Sequence, residues 1–243
     1  MLDVAATQAL RAADCKARFA VHGLFYDLPL GGAVWSCRSV LELIAHELVP
    51  AGDPSPVLDR RPDLLVVMMN PGSSRSIDGG FVPPQVADVA AIAGVRRLVP
   101  TIPDTTQYQI MKVMAARGWR HARVLNLSDL RETKSPALFR HVQALTGLPG
   151  GDGHSLWSPA RRDELLRHIG PAAGSPPVIL GWGRHKALFP LAEHCRAALA
   201  GRPLVGVQAP EGPLAYAHPS PMMQAGKDAW IAAILAQLAA TGV

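Results

Sequence analysis

Short, uninterrupted apolar runs recur along the chain and are separated by longer amphipathic segments. Runs without polar alternation are typical of strands that are covered on both faces, as in a parallel sheet. The strand predictions are Leu64–Met69, Arg123–Leu127, Val178–Trp182 and Leu204–Val207. A fifth run, Leu214–Ala217, ends at His218.

Helical patterns lie between these runs, with apolar positions at three- and four-residue spacings. The clearest helix predictions are Thr105–Arg117, Pro136–Thr146, Pro159–Ile169 and Asp228–Leu238. Strands that alternate with helices predict a three-layer α/β/α domain with a central, mostly parallel sheet of four to five strands. The chain, 1–243, is predicted to form a single domain. A helical extension over about 1–60 is expected to precede the sheet, with helices at Asp3–Val21 and Arg38–Leu48.

Composition narrows the class of protein. The 243 residues are 49% hydrophobic, which suffices for a sizeable core without disulfides. No apolar run approaches the roughly 18 residues of a membrane span, and the start lacks the basic-then-apolar order of a secretory signal. We therefore expect a cytoplasmic protein with no membrane partner. The three cysteines are far apart and the histidines lack metal-ligand spacing, so neither a metal nor another cofactor is predicted.

The net charge of +5 permits a polyanionic partner such as nucleic acid but does not demand one. Six basic side chains are candidate phosphate contacts, although a solvated basic surface is the simpler interpretation. They are Arg96, Arg97, Arg117, Arg120, Arg123 and Lys134.

Polar side chains occur at the ends of the predicted strands, where open α/β sheets bind ligands. Asn70 and His218 each precede a proline, which restricts the loop and holds the polar group in place. Asn126 belongs to the second strand. These three side chains are predicted to meet at one edge of the sheet. An ordinary Asn-Pro-Gly turn and a surface histidine are the structural alternatives.

The motifs at these strand ends resemble those of the uracil-DNA glycosylase superfamily. In its mismatch-directed branch the first loop reads G-I-N-P-G, and the second motif of the superfamily is commonly H-P-S-P-L-S. The matching segments here are Met68–Gly72, Val124–Asn126, Gly181–His185 and His218–Met222, in the family's order. The resemblance covers about Leu64 to Leu238.

The resemblance implies a role for each matching residue. Asn70 would position the attacking water, and His218 would donate a hydrogen bond to the base as negative charge builds on it. Asn126 would bind the edge of a base turned out of the DNA helix. Gly72 stands where the uracil-selective branch has a tyrosine, so strict uracil selectivity is not expected. The implied phosphate and wedge residues are Ser73, Ser74, Ser220 and Met222.

A second resemblance is to a bacterial branch of the same superfamily whose activity is not established. It rests on Asn126–Leu138, which includes Arg131 and Thr133. Because position 70 is an amide, it can orient water but cannot act as a base. Three functions therefore remain open: a DNA glycosylase for uracil or another deaminated or mismatched base, a nucleic-acid or nucleotide-binding protein without catalysis, and an enzyme that acts on free nucleosides.

Overall fold

Seven strands form one mixed sheet in the computed structural model, which describes residues 2–242. Their order across the sheet is β4-β1-β2-β5-β3-β6-β7. The strands are β1 (Phe19–Leu30), β2 (Ala33–Ala45), β3 (Leu64–Met68), β4 (Leu98–Pro100), β5 (His121–Asn126), β6 (Val178–Leu180) and β7 (Leu204–Val205).

Helices alternate with the later strands, as the pattern predicts for the α/β class. The α-helices are α1 (Val4–Ala9), α2 (Ala12–Arg18), α3 (Thr105–Arg117), α4 (Ser135–Thr146), α5 (Arg162–Ile169), α6 (Phe189–Ala198) and α7 (Gln224–Ala240). Short 3-10 helices are His46–Leu48, Ser55–Asp59, Ala90–Gly94, Gly151–His154, Pro159–Arg161 and Lys186–Leu188. In the part of the chain from 2 to 242, no helix is long and apolar enough to cross a membrane.

The four predicted strand runs all form strands, β3, β5, β6 and β7, and these pair in parallel with one another. The α/β class is therefore confirmed. The whole sheet is larger than predicted and mixed, because β1, β2 and β4 add an antiparallel half. The fifth run, Leu214–Ala217, forms no strand; Tyr216 makes isolated bridges to Gly183 and Gln208.

The antiparallel half corrects the prediction for the N-terminal segment. Helices α1 and α2 are short, and the predicted helix Arg38–Leu48 is instead mostly part of β2. A two-residue turn joins β1 to β2, with Gly31 and Gly32 at φ values of 61° and 79°. Positive φ at both positions is the geometry of a type I′ hairpin turn, which glycine adopts without strain. The predicted helical extension over about 1–60 is therefore wrong beyond α2.

Helices cover both faces of the sheet because the strand side chains alternate between the faces. One hydrophobic cluster joins Leu64, Val66 and Val124 to side chains of α2, α3 and α7. The other joins Leu65 and Val67 to side chains of α4, α5 and α6. The carboxyl ends of β3, β5 and β6 consequently open between two packed layers, where the following loops build a cleft.

Candidate functional site

A cleft of about 170 Å³ lies at the carboxyl ends of β3 and β5. Its volume is below the range of about 300–1,000 Å³ that is usual for drug-sized ligands, and it suits a single six-membered heterocycle. Four predicted site residues line it: Asn70, Gly72, Asn126 and His218. Segments that are far apart in the chain therefore meet around one hollow, as the strand-end pattern predicts.

The side chain of Asn126 lines the cleft and has no hydrogen-bond partner among the described residues. The residue is 0% exposed, and neither Nδ2 nor Oδ1 makes a hydrogen bond within residues 2–242. Its backbone is well held, because Trp157 Nε1 donates to the Asn126 carbonyl at 2.7 Å. An unsatisfied buried polar group costs about 1–3 kcal/mol. A fixed amide that presents one donor and one acceptor to a cleft is suited to bind a ligand with the complementary pair.

Asn70 is held in one orientation by the loop that follows β5. Its Nδ2 donates to the carbonyl oxygens of Leu130 and Glu132, at 3.0 and 2.7 Å. Because both partners are acceptors, the amide nitrogen must face them and Oδ1 is directed elsewhere. Asn70 thus has one available function, a hydrogen-bond acceptor on the wall of the cleft.

His218 reaches the cleft through two adjacent loops. Tyr216 pairs with Gly183 just beyond β6, which carries the chain to His218. A side chain at Gly181 would place its Cβ 3.0 Å from Pro219 Cδ, so a larger residue would require the His218-Pro219 segment to move away by a few tenths of an ångström.

The protonation of His218 follows from its contacts. The backbone N–H of Ser220 donates to His218 Nδ1 at 3.2 Å, which requires a lone pair on that nitrogen. Burial lowers the pKa of His218, although the charge of Asp104 acts in the opposite direction. The ring is therefore neutral with its proton on Nε2, which is a donor free for a ligand.

Arg38 is a cleft residue that the sequence prediction missed. Its side chain is 2% exposed and lines the cleft, yet Nε and Nη1 are buried without a partner among the described residues. Burial lowers the pKa of Arg38 to about 10, and Asp104 and Asp129 oppose this effect. The guanidinium is charged at neutral pH and forms no salt bridge in the part of the chain that the structure describes.

A bulge in β2 turns Arg38 toward the cleft. In the β1–β2 pairing Leu24 lies opposite Val40, but Phe25 lies opposite Arg38, so Ser39 is an extra residue. If residues 38–40 alternated regularly, Arg38 would share the face of Val40, which belongs to the opposite hydrophobic cluster. Bulges of this kind commonly redirect side chains next to functional sites.

The rim of the cleft carries acidic and small residues. Asp104 accepts hydrogen bonds from the backbone of Thr106 and Gln107 at the start of α3, and it is exposed. Glu132 also lines the cleft. Gly72 has φ of 59°, and a Cβ there would meet no atom within 4 Å. The wall beside the ligand space is therefore open at Gly72, where a larger side chain would narrow it at some backbone strain.

Four other predicted site residues do not line the cleft. Ser73 is exposed on the Asn-Pro-Gly loop, whereas Ser74 is buried and its carbonyl accepts from Arg131 Nε at 2.7 Å. Ser220 is half-buried, and its backbone N–H is used by His218. Met222 is 99% exposed and lies on a separate surface groove that also includes His218.

A buried ionic network supports the loop that orients Asn70. Arg161 Nη1 donates to Asp129 Oδ2 at 2.6 Å, and Tyr26 Oη donates to the same oxygen at 2.7 Å. Burial raises the pKa of Asp129, while the charge of Arg161 opposes the rise. The backbone of Asp129 in turn accepts from Arg38 N at 2.9 Å. This network fixes residues 128–132 against β2 and so places the carbonyls that hold Asn70.

The six candidate phosphate contacts do not all belong to an exposed basic surface. Arg123 is 1% exposed and donates to Glu42 at 2.7 Å, so it is neither a phosphate contact nor part of a solvated basic surface. Arg96 pairs with Asp59, and Arg120 pairs with Glu47.

Asp104, Glu132 and Thr133 join Arg38 as lining residues that the strand-end reasoning did not assign to the site. The sequence did contain a signal for the hairpin that carries Arg38, because Gly31-Gly32 between two apolar segments indicates a hairpin. No group of three or more His, Cys, Asp or Glu side chains that could hold a metal ion occurs within residues 2–242. Comparison with protein-family models, curated proteins and solved structures finds no match for the chain.

Proposed function

We propose that the protein binds a pyrimidine-like base turned out of DNA and hydrolyses its N-glycosidic bond, as a member of the uracil-DNA glycosylase superfamily. The observation that carries this proposal is the unpartnered amide of Asn126 in a cleft that suits one heterocycle. The helices on both faces of the parallel strands, with the motifs at their carboxyl ends, support a glycosylase-like α/β/α fold.

The polar groups of the cleft complement the edge of a uracil ring. Asn126 supplies a donor for a ring carbonyl and an acceptor for the neighbouring ring N–H. His218 supplies its Nε2–H to a second carbonyl. Adenine also presents an adjacent donor and acceptor, so the assay must include purines. Gly72 leaves room for a ring substituent, which favours a range of bases over uracil alone.

The reaction needs few groups because the base leaves with the bonding electrons. The bond between the sugar C1′ and the base nitrogen breaks, and the electron pair stays on the base as an anion. A water oxygen bonds to C1′ and releases its proton to solvent, and the base anion later takes up a proton. Asn70 Oδ1 accepts a hydrogen bond from that water and orients it, while donors in the cleft stabilise the anion.

Contact with DNA is proposed for the exposed end of the His-Pro-Ser-Pro loop. Met222 and Met223 are 99% and 74% exposed and follow His218 closely in the chain. Two adjacent exposed apolar side chains beside a cleft suit insertion into a base stack, where they would occupy the place of the extruded base.

A second candidate function is base recognition without cleavage. The observation that favours it is the amide at Asn70, whose nitrogen is fully used in holding the loop. The carboxylates that line the cleft, Asp104 and Glu132, both accept backbone hydrogen bonds. A cleft of this kind binds a base but has no free carboxylate on the Asn-Pro-Gly loop to activate water.

Single-turnover cleavage tests the proposal. Oligonucleotides that contain uracil, hypoxanthine or a mismatch are incubated with excess protein, and released base is measured. We expect base release by the wild-type protein and none by Asn126→Leu. Gln143→Leu is the matched control, because Gln143 is an exposed amide on α4, against the opposite face of the sheet. Binding without release would support the second candidate, and release from free nucleosides alone would replace DNA as the substrate.

A further inference from the structure

Arg38 carries a positive charge that has no role in the hydrolysis described above. Its guanidinium is buried at the edge of the cleft, and two of its nitrogens have no partner among the described residues. Buried charges in proteins are normally paired, and an unpaired one is strongly unfavourable. Within residues 2–242, Arg123 pairs with Glu42, and Arg161 pairs with Asp129 and Glu164. Buried Arg202 forms no salt bridge in this part of the chain, but it donates to the backbone carbonyls of Ile169, Gly170 and Pro171.

The surroundings of Arg38 do not neutralise it. Asp104 and Asp129 are the acidic groups that act on it, and Arg131 is a nearby cation. Asp129 is engaged by Arg161 and Tyr26. The carboxylate of Asp104 caps α3 and forms no salt bridge with Arg38. A ligand in the cleft is therefore the remaining candidate for an acidic partner of the guanidinium.

We propose that Arg38 makes the cleft a site for an anion, and that the heterocycle is bound through an edge that carries negative charge. The ligand class is a planar pyrimidine whose ring nitrogen is ionised. This inference rests on the proposed function for the identity of the ligand as a base. The anion site itself rests only on Arg38, on the bulge that directs it, and on its position beside Asn126.

The neutral and the charged groups of the cleft are expected to contact different features of the ligand. Asn126 reads a donor and an acceptor, His218 adds one neutral donor, and Arg38 provides the only contact that distinguishes an anion from a neutral ring among these three. A planar guanidinium binds a planar anion through parallel N–H donors, which also aligns the ring. A ring that becomes anionic as its glycosidic bond breaks would be bound more tightly at that moment than before.

Calorimetric titration with free bases tests the proposal directly. The probes are uracil, which is neutral at neutral pH, and 5-nitrouracil, whose electron-withdrawing nitro group makes it lose a ring proton at mildly acidic pH. We expect the ionised form of 5-nitrouracil to bind about 10- to 100-fold more tightly than uracil, as for a hydrogen bond to a buried charge. Affinity for 5-nitrouracil is expected to rise with pH as that ligand ionises. Uracil titrated over the same pH range is the control, because any change in its affinity comes from protein groups and not from the ligand. The groups concerned are His218, Asp104 and Glu132, which line the cleft, and Asp129 and Arg131, which act on Arg38.

Variants separate this role from a structural one. In Arg38→Met the preference for the anion is expected to vanish, because the affinity for ionised 5-nitrouracil falls to that for uracil. Arg38→Lys is expected to keep part of the preference, because it retains the charge without the planar donors. Arg140→Met removes an exposed cation from α4 and is expected to leave the preference unchanged.

The outcomes distinguish this inference from the proposed function. Equal affinity of the wild-type protein for uracil and ionised 5-nitrouracil would overturn the anion site and leave base binding intact. If neither base binds, titration with formate and with inorganic phosphate shows whether the cleft binds an anion at all. Binding that is lost in Arg38→Met would keep the anion site and reject the base as its ligand, and no binding would reject both.

Discussion

Replacing Asn126 with leucine is expected to stabilise the folded protein and to abolish base binding. Asn126 is fully buried in β5, and its side-chain nitrogen and oxygen have no partner in the described chain. Leucine has the same number of side-chain heavy atoms and the same branching, and it brings no polar atom. The change therefore removes two unsatisfied groups and leaves the backbone contact with Trp157 in place.

The size of the effect follows from the free energy of the unsatisfied groups. Each costs about 1–3 kcal/mol when buried, and water in the cleft relieves part of this cost. We expect a net gain of about 1–3 kcal/mol in the free energy of unfolding. For a domain of this length, that gain corresponds to a rise of roughly 2–12 °C in Tm. A gain in stability together with a loss of binding is typical of a residue kept for function.

Urea unfolding and calorimetric base titration measure the two effects. The matched control is Gln109→Leu, since Gln109 is also a buried amide but donates to the carbonyls of Pro219 and Lys227, each at 3.4 Å. This control is expected to lose about 1–2 kcal/mol because it leaves those carbonyls unpaired. If Asn126→Leu is the less stable variant, or if it binds a base as the wild type does, Asn126 is a structural residue and the reasoning fails.

Three further predictions concern the other cleft and loop residues. Asn70→Asp is expected to lower the free energy of unfolding by about 2–4 kcal/mol, because a carboxylate would face the carbonyls of Leu130 and Glu132. It is not expected to increase base release. A variant that is as stable as the wild type in urea and releases base faster in the cleavage assay would contradict this prediction. Because burial lowers the pKa of His218, the neutral ring contributes stability at pH values above its usual pKa of 6.5, and this contribution is lost as the pH falls through the lower pKa of the folded state. The free energy of unfolding, measured against pH, should therefore fall less in acid for His218→Gln than for the wild type. An equal fall in the two proteins would count against this prediction. Met222→Ala is expected to weaken duplex binding about 10-fold without changing the affinity for free uracil, as measured by fluorescence anisotropy and calorimetry, and equal duplex affinity would exclude a wedge role.

The parallel half of the sheet could be predicted from the sequence because its strands are short, apolar and separated by clear helices. Helix α3 follows the prediction at both ends, Thr105 and Arg117. The antiparallel half was missed because β2 lies between β1 and β5 and is buried on both faces from Cys37 to Ala45. Its polar residues, Arg38, Ser39 and Glu42, do not alternate with the apolar ones, so the periodicity of the segment does not identify it as a strand.

The candidate site could be predicted only where its residues follow the parallel strands. Asn70, Asn126 and His218 meet in one cleft because the carboxyl ends of β3 and β5 and the loop beyond β6 share one edge. Arg38 could not be assigned, since its direction depends on the extra residue Ser39 in a strand that was predicted as a helix. Asp104 reaches the rim through the start of α3, which strand-end reasoning does not consider.

The Asn126 side-chain amide provides the most direct test of the claim that the cleft binds a nucleobase. Its two N–H protons can be followed by NMR in ¹⁵N-labelled protein, with Asn126→Leu used to assign the signals. On addition of uracil we expect both signals to shift in a saturable manner, because the amide gains its missing partners. Signals that remain unchanged at saturating uracil and at saturating 5-nitrouracil would contradict the account.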